Sequence, residues 1–238
     1  MTSRLPDRPQ AHRPPDLPGT LDRLLALDAR LSGVWAWVQG QMQPDAAHDS
    51  AHLARVARWT LRCAPDVPPA LAVAAALTHD VVNLPKNHPQ RAQASELSAQ
   101  AVQATLPGLG FTPGEAREVA LAVRDHSHSR GAVPQTPLGE ALQDADRLDA
   151  LGALGVLRVA GVGGQLGRAP LHPDDPWAQR REPDDLAFTV DHFFTKLLRL
   201  DGTFRTPAGQ AEARRRTRTM RAFLAELASE LEVDPPGE

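Results

Sequence analysis

The sequence predicts an all-α protein, and two observations support this class. Apolar residues recur at helical spacing in successive segments along the chain. The pairs Thr112–Pro113 and Thr136–Pro137 supply helix starts, because threonine caps the first turn and proline suits its first position. Every element that the periodicity predicts is helical, so we expect amphipathic helices packed around a buried one.

The amino-terminal half begins with a predicted tail. Residues 1–18 are rich in proline and charge, a composition that buries little apolar area, so we expect this segment to be disordered. The segments Thr20–Val38 and Asp45–Leu61 each carry apolar residues on one helical face. Pro68–Pro69 then opens PPALAVAAALTHDVVN, whose nearly continuous apolar character predicts the central buried helix.

Two helices with clear boundary signals follow. Ser95–Leu106 is amphipathic and is followed by Pro107–Gly108, which predicts its end. Thr112, Pro113 and Glu115 occupy the cap, first and third positions of a capping box. This motif predicts a helix that runs to about His126.

The carboxy-terminal half predicts three more helices, over Leu138–Leu157, Leu186–Leu200 and Pro207–Leu231. Between the first two, Gly161–Asp185 is rich in glycine and proline and predicts a long loop, a candidate lid over a site. We therefore expect a single helical domain over residues 19–233, with 234–238 as a short tail.

Composition excludes several classes of protein. Hydrophobic residues make up 42% and charged residues 23%, as in ordinary globular domains. The net charge of −3 provides no global positive field, so nucleic acid and membrane surfaces are not expected partners. The one cysteine, Cys63, excludes an internal disulfide framework and a cysteine-based zinc cluster. No apolar run approaches the ~20 residues of a membrane span and no secretory segment is evident, so we expect a cytoplasmic protein.

Histidine and aspartate concentrate in a few segments. His48 and His52 stand four residues apart and share a helix face, while Asp146 and Asp149, three apart, share another. His79–Asp80 ends the apolar helix, where an unpaired charge would be costly and a cation would offset it. Because a helical bundle can bring such side chains together, these segments predict a metal site of histidines and carboxylates.

The motifs around these residues resemble a known family. His52 precedes Val56–Ala57, Leu77 begins an L-x-H-D motif, and residues 145–152 read ADRLDALG. In this order they resemble the HD-domain metal-dependent phosphohydrolase superfamily. VNLPKNHPQRAQAS and DHFFTKLLRL also resemble small stand-alone bacterial HD hydrolases, a subgroup that includes nucleoside triphosphate pyrophosphohydrolases. The resemblance covers about residues 45–231 and implies an HD-domain-type helical bundle.

The resemblance implies that His52, His79, Asp80 and Asp146 are metal ligands. His48 is then a residue of the first helical turn, a partner behind the ligands or a substrate contact. Such a mixed nitrogen and oxygen set leaves coordination positions open for water and a phosphate oxygen. It suits one divalent transition metal, Mn²⁺ in first place, with Fe²⁺, Co²⁺ and Mg²⁺ as alternatives.

Further residues are candidates for binding the substrate. Lys86 and Arg91 follow the His-Asp pair and are predicted to hold phosphate oxygens, and the alternative is that they are solvated surface cations. His126 is predicted to contact phosphate. Its alternatives are helix capping or a second metal, a role that His128 could share.

Asp80 and Asp149 are the candidate catalytic carboxylates. Asp149 lies on the predicted helix face of Asp146, where it could act as a base or orient a ligand. The alternative is an aspartate paired with Arg147 or Arg158 at the surface.

The resemblance implies a metal-dependent phosphohydrolase that acts on a nucleotide. The reaction expected first is cleavage of a (deoxy)nucleoside triphosphate into monophosphate and pyrophosphate. A phosphomonoesterase or a cyclic phosphodiesterase could use the same metal site. An alternative of another class is a non-catalytic nucleotide-binding or signalling module. The expected partner is therefore a small phosphate ester, and the sequence leaves the oligomeric state open.

Overall fold

The computed structural model describes residues 21–41, 50–84, 93–127 and 131–237. Within these ranges the regular structure is helical, with one isolated bridge between Ala169 and Phe188 and no strand, so the all-α prediction is confirmed. The ten α-helices of the described ranges are α1 Leu21–Leu25, α2 Arg30–Gln41, α3 Ser50–Cys63, α4 Pro69–Thr78, α5 Ala94–Thr105, α6 Pro113–Asp125, α7 Pro137–Asp149, α8 Gly152–Gln165, α9 Asp191–Thr195 and α10 Pro207–Glu230. Two 3-10 helices, Leu106–Leu109 and Leu197–Thr203, join them.

Helix α4 lies at the centre of the fold. Every residue from Ala70 to Thr78 is buried, and α2, α3, α6 and α7 all pack against this helix. Its alanines allow the surrounding helices to approach closely. The near-continuous apolar segment is therefore the central helix, as predicted.

The buried side chains form two main clusters. The first surrounds α4 and includes Leu31, Leu77 and Leu142. The second lies between α8, α9, α10 and the connecting chain, and it includes Phe193 and Met220. Trp59 packs against both clusters, so α3 joins the two parts of the core.

Side-chain caps define several helix starts. The capping box predicted before α6 is present, because Glu115 donates its backbone N–H to Oγ1 of Thr112 (3.2 Å) and accepts the Thr112 N–H at 2.7 Å. Thr136 and Thr206 cap α7 and α10 through their hydroxyl oxygens, which accept the backbone N–H of Gly139 and Gly209. The buried carboxylate of Asp144 accepts the N–H and O–H of Thr206, both at 2.8 Å, and so ties α7 to the start of α10.

Two predicted helices are each divided in the structure. The helix expected over 20–38 is broken at residues 26–29, where Asp28 accepts the backbone N–H of Arg30 and starts a new helix. The helix expected over 138–157 ends at Asp149, and the chain turns before α8 begins at Gly152, whose φ is +77°. This left-handed conformation favours glycine.

The connection between α8 and α10 also differs from its prediction. Helix α8 continues to Gln165, so the irregular segment begins later than Gly161. Thr189 and Val190 bond through their backbones to Ala169 and Pro170, which excludes a continuous helix over 186–200. The helical part there is α9 and the 3-10 helix that follows it.

Among the described residues, no helix is both long and apolar enough to cross a lipid bilayer.

Candidate metal centre

Four helices bring a group of histidines and aspartates to one place. His52 lies on α3, and Asp146 lies on α7. His79 and His126 are the residues that directly follow α4 and α6, and Asp80 is next to His79. The three histidines are buried, whereas the Asp80 and Asp146 side chains are 25% and 32% exposed. The imidazole rings therefore line the buried side of the centre, and the two carboxylates lie on its solvent-facing side, which we call the mouth.

The potential ligand atoms fall into two overlapping groups. In the first, Nε2 of His52 lies 3.3 Å from Nε2 of His79, and Oδ1 of Asp146 lies 3.7 Å and 3.9 Å from these two atoms. In the second, Asp80 lies 3.7 Å from Nε2 of His79 and 3.5 Å from Nε2 of His126. The structure thus brings together the four ligands that the resemblance implied and adds His126 to them.

Hydrogen bonds at the other ring nitrogen orient each imidazole. Nδ1 of His79 lies 2.8 Å from the carbonyl oxygen of Ala76, and Nδ1 of His126 lies 2.6 Å from that of Val123. A carbonyl oxygen only accepts, so both Nδ1 atoms donate. When either ring is neutral, its remaining lone pair lies on Nε2, the atom that faces the centre.

His52 is oriented by a carboxylate instead of a carbonyl. Its Nδ1 lies 2.7 Å from Oδ2 of Asp149, which is itself buried. Burial raises the pKa of Asp149, but hydrogen bonds from His52 and Arg55 outweigh that effect and hold its pKa well below the usual range. Asp149 is therefore an acceptor, and His52 also directs a lone pair inward.

This donor set fits a cation. Burial lowers the pKa of His79 to about 4, so its ring is neutral at neutral pH. Nε2 of His52 and Nε2 of His79 lie 3.3 Å apart beside the Asp146 carboxylate, and a cation bound between them would satisfy all three groups. Burial opposes charge on His126, but Asp80 outweighs it and raises the pKa of His126. The carboxylates of the centre thus stabilise positive charge, which a divalent ion would supply.

The two groups describe one ion site. Both include His79, and only its Nε2 atom is available, because Nδ1 donates to Ala76. One nitrogen lone pair binds one ion. Imidazole and carboxylate ligands together suit divalent transition metals.

Two arginines stand behind Asp149. Arg55 donates Nε to Oδ1 at 2.6 Å and Nη2 to Oδ2 at 3.0 Å, and Arg158 donates Nη1 to Oδ2 at 2.6 Å. Of the two arginines named as alternative partners in the sequence, Arg158 makes this contact, and Arg147 instead donates to the carbonyl of Thr203. Arg55 was not predicted from the sequence, although it stands three residues after His52 and so lies near the same helix face.

Several predicted substrate-binding residues lie outside the described ranges. These are His48, Lys86 and Arg91, together with His128. The structure therefore describes His126 alone among the substrate contacts named from the sequence.

Comparison with known proteins identifies the family. The HD domain profile matches residues 50–151. The uncharacterized protein YpgQ of Bacillus subtilis is 31% identical over 207 residues, which cover 84% of this chain and 91% of YpgQ.

Solved structures extend this similarity to three dimensions. The structure of Bacillus subtilis YpgQ in complex with ADP matches with a TM-score of 0.67 at 27% identity, over 85% of this chain and 95% of YpgQ. An HD-superfamily hydrolase from Bacillus thuringiensis matches with a TM-score of 0.65 at 26% identity, over 87% of this chain and 100% of that protein. The chain belongs to the HD domain superfamily, and it is a hydrolase with a His/Asp cluster suited to a divalent metal.

Proposed function

We propose that this protein hydrolyses nucleoside triphosphates to the monophosphate and pyrophosphate, using one divalent ion. The observation that carries the proposal is the convergence of three Nε2 atoms and two carboxylates at a partly open centre. The nucleotide substrate is supported by YpgQ, a relative that was crystallised with ADP. The choice of pyrophosphate as product rests on the resemblance of the sequence to pyrophosphohydrolases.

Five side chains would hold the ion. His52, His79 and His126 would hold the ion from the buried side, with Asp80 and Asp146 at the mouth. A divalent ion bound there polarises a phosphate oxygen and lowers the pKa of bound water. We propose Mn²⁺ as this ion, because a mixed imidazole and carboxylate set accommodates it.

The two candidate catalytic carboxylates have different surroundings. Asp80 is at the mouth and accessible to solvent, so it is the carboxylate placed to accept a proton from an attacking water. Asp149 is buried and accepts from His52, Arg55 and Arg158, so we assign it the positioning of His52. Lys86 and Arg91 remain the proposed phosphate contacts from the sequence.

The experiment is product analysis. The purified protein is incubated with deoxynucleoside triphosphates and Mn²⁺, and the phosphorus products are identified by ³¹P NMR. We expect pyrophosphate and a monophosphate, no reaction with EDTA, and no reaction with His79→Ala. Orthophosphate alone would contradict the proposed bond and indicate a phosphomonoesterase. Absence of hydrolysis with Mn²⁺, Mg²⁺ and Co²⁺ would contradict a nucleotide hydrolase.

A further inference from the structure

A cavity of about 220 Å³ is lined in part by Arg158, which also donates to Asp149 behind the metal centre, and none of the proposed metal ligands lines this cavity. It is enclosed by α8 on one side and by the chain around α9 on the other. Its polar lining consists of Arg158, Arg168, Asp185, His192 and Lys196, and the remaining lining is mostly apolar surface of α8. We refer to this space as the cationic cavity.

Two of its cations have no partner among the described residues. The side chains of Arg168 and Lys196 neither donate a hydrogen bond to, nor form an ion pair with, any residue in the described ranges, although their backbone N–H groups donate to Gly163 and His192. The carboxylate in the cavity is already engaged, because Asp185 lies 2.7 Å from Nδ1 of His192 and accepts the hydroxyl of Thr195 at 3.0 Å. Asp185 is thus the one carboxylate that lines the cavity, beside three cations, and neither Arg168 nor Lys196 forms a direct ion pair with it among the described residues.

Arg158 adds further donors at the wall nearest the metal centre. Its Nη1 atom donates to Asp149, whereas its Nε and Nη2 atoms donate to no other described residue. Nη1 also lies 3.4 Å from Nδ1 of His52, so the contacts of this guanidinium with the metal centre all involve Nη1. Nε and Nη2 keep their N–H groups for an acceptor in the cavity, and guanidinium geometry matches phosphate oxygens.

The size of the cavity limits what can enter. Pockets for drug-sized ligands are typically ~300–1,000 Å³, so a whole nucleotide would not be enclosed here. A cavity that holds one water needs only ~10–15 Å³ by the same kind of measure, so this one has room for a multi-atom anion. A phosphate or diphosphate group satisfies both limits and complements the three cations.

We propose that the cationic cavity is a phosphate-binding site, separate from the metal centre, that takes a phosphate or diphosphate group of a small molecule. Lys196 and Arg168 contact the anion, and Arg158 links it to Asp149 and hence to His52. The site does not depend on which phosphate bond the enzyme cleaves, so it can be tested without an activity assay.

The test is calorimetric titration of the full-length, metal-free protein with inorganic pyrophosphate. We expect Lys196→Met and Arg168→Met each to weaken binding about tenfold, since a charge-assisted hydrogen bond contributes ~1.5–3 kcal/mol and ~1.4 kcal/mol is tenfold. Arg199→Met is the matched control, because Arg199 is an exposed cation near Lys196 that does not line the cavity. His79→Ala, at the metal centre, should bind pyrophosphate as the unaltered protein does.

A second measurement needs no variant in the binding site. Pyrophosphate should shift the ring resonances of His192 in the NMR spectrum of the unaltered protein and leave those of His172, outside the cavity, in place. Unshifted His192 resonances would overturn the proposal. So would equal affinity in Lys196→Met and the unaltered protein, or a loss of binding in His79→Ala as large as that in Lys196→Met, which would place the anion at the metal centre.

Discussion

The Nδ1 atom of His52 lies 2.7 Å from Oδ2 of Asp149, a carboxylate that is 97 residues away in sequence and is itself held by two arginines. The contact fixes which nitrogen of His52 carries the proton and turns the other toward the metal centre. An aspartate that binds no ion in the proposed arrangement thus determines how a ligand is presented.

Asp149→Asn should therefore weaken metal binding while every proposed ligand remains. Loss of a partner behind a metal-binding histidine typically lowers metal affinity 10–100-fold, and we expect an effect in that range for Mn²⁺. Competition with a chelator of known affinity measures it. The matched control is Asp144→Asn on the same helix, because Asp144 contacts Thr206 and Arg205 and none of the centre's histidines. Unchanged affinity in Asp149→Asn would contradict the positioning role.

Asp144→Asn should instead lower the free energy of unfolding. The fully buried carboxylate accepts from the backbone of Arg205 and from both donors of Thr206, and an amide group would place a donor against these donors. We expect a loss of about 1–3 kcal/mol, the cost of an unsatisfied buried polar group. Urea unfolding measures it, with Asp174→Asn at the exposed surface as a control expected within about 0.5 kcal/mol of the unaltered protein. Equal stability of the two variants would refute the prediction.

His126→Ala distinguishes a metal ligand from a phosphate contact. Because Nε2 of His126 shares the centre with Asp80 and His79, we expect one ion per unaltered chain and at least about tenfold weaker binding in the variant. Metal titration followed by elemental analysis gives both quantities. His172→Ala serves as the control, since Nδ1 of His172 accepts backbone N–H groups of Asp174 and Asp175 in a loop. Normal metal affinity with a raised KM in His126→Ala would show that His126 contacts substrate instead.

Titration of His192 should lower stability on the acidic side of neutrality. Burial holds the pKa of His192 below its ordinary value of 6.5, although Asp185 acts in the opposite direction. As the pH falls below about 6.5, the unfolded chain takes up this proton first, so the free energy of unfolding falls. His192→Asn should show a smaller loss between pH 7 and pH 5.

NMR titration tests the same two effects on the pKa. The ring of His192 should titrate below 6.5 in the unaltered protein, and lower still in Asp185→Asn, where the carboxylate no longer supports the charged form. A pKa at or above 6.5 in the unaltered protein would contradict the dominance of burial.

Features that are complete within one helix could be predicted from the sequence. The capping box of α6 needs only Thr112 and Glu115, and the apolar character of Ala70–Leu77 is enough to place α4 in the interior. The two helix breaks that were not predicted, at residues 26–29 and between α7 and α8, lie where the apolar periodicity continues across a turn. At the second, Ala145 belongs to the core around α4, whereas Leu148 and Leu151 belong to the other core, so the chain must change direction between them. Apolar periodicity predicts that a residue is buried, but it does not predict which of the two core clusters contains that residue.

At the candidate metal centre, too, some features could be predicted from the sequence and others depended on tertiary packing. The resemblance of the motifs to the HD superfamily implied that His52, His79, Asp80 and Asp146 meet, and the structure places them in two overlapping groups. The place of His126 among them follows from the packing of α6 against α4, and the approach of Arg158 follows from the turn into α8. Neither leaves a local sequence signal. Which imidazole nitrogen faces the centre depends on the acceptor of Nδ1. For His79 and His126 this acceptor is local, the carbonyl oxygen three residues earlier at Ala76 and Val123, whereas for His52 it is Asp149 on another helix. The sequence alone thus determined the residue types and helices that could form a metal site, and only the tertiary structure decided that the side chains meet and how His52 is oriented, because both depend on contacts between distant segments.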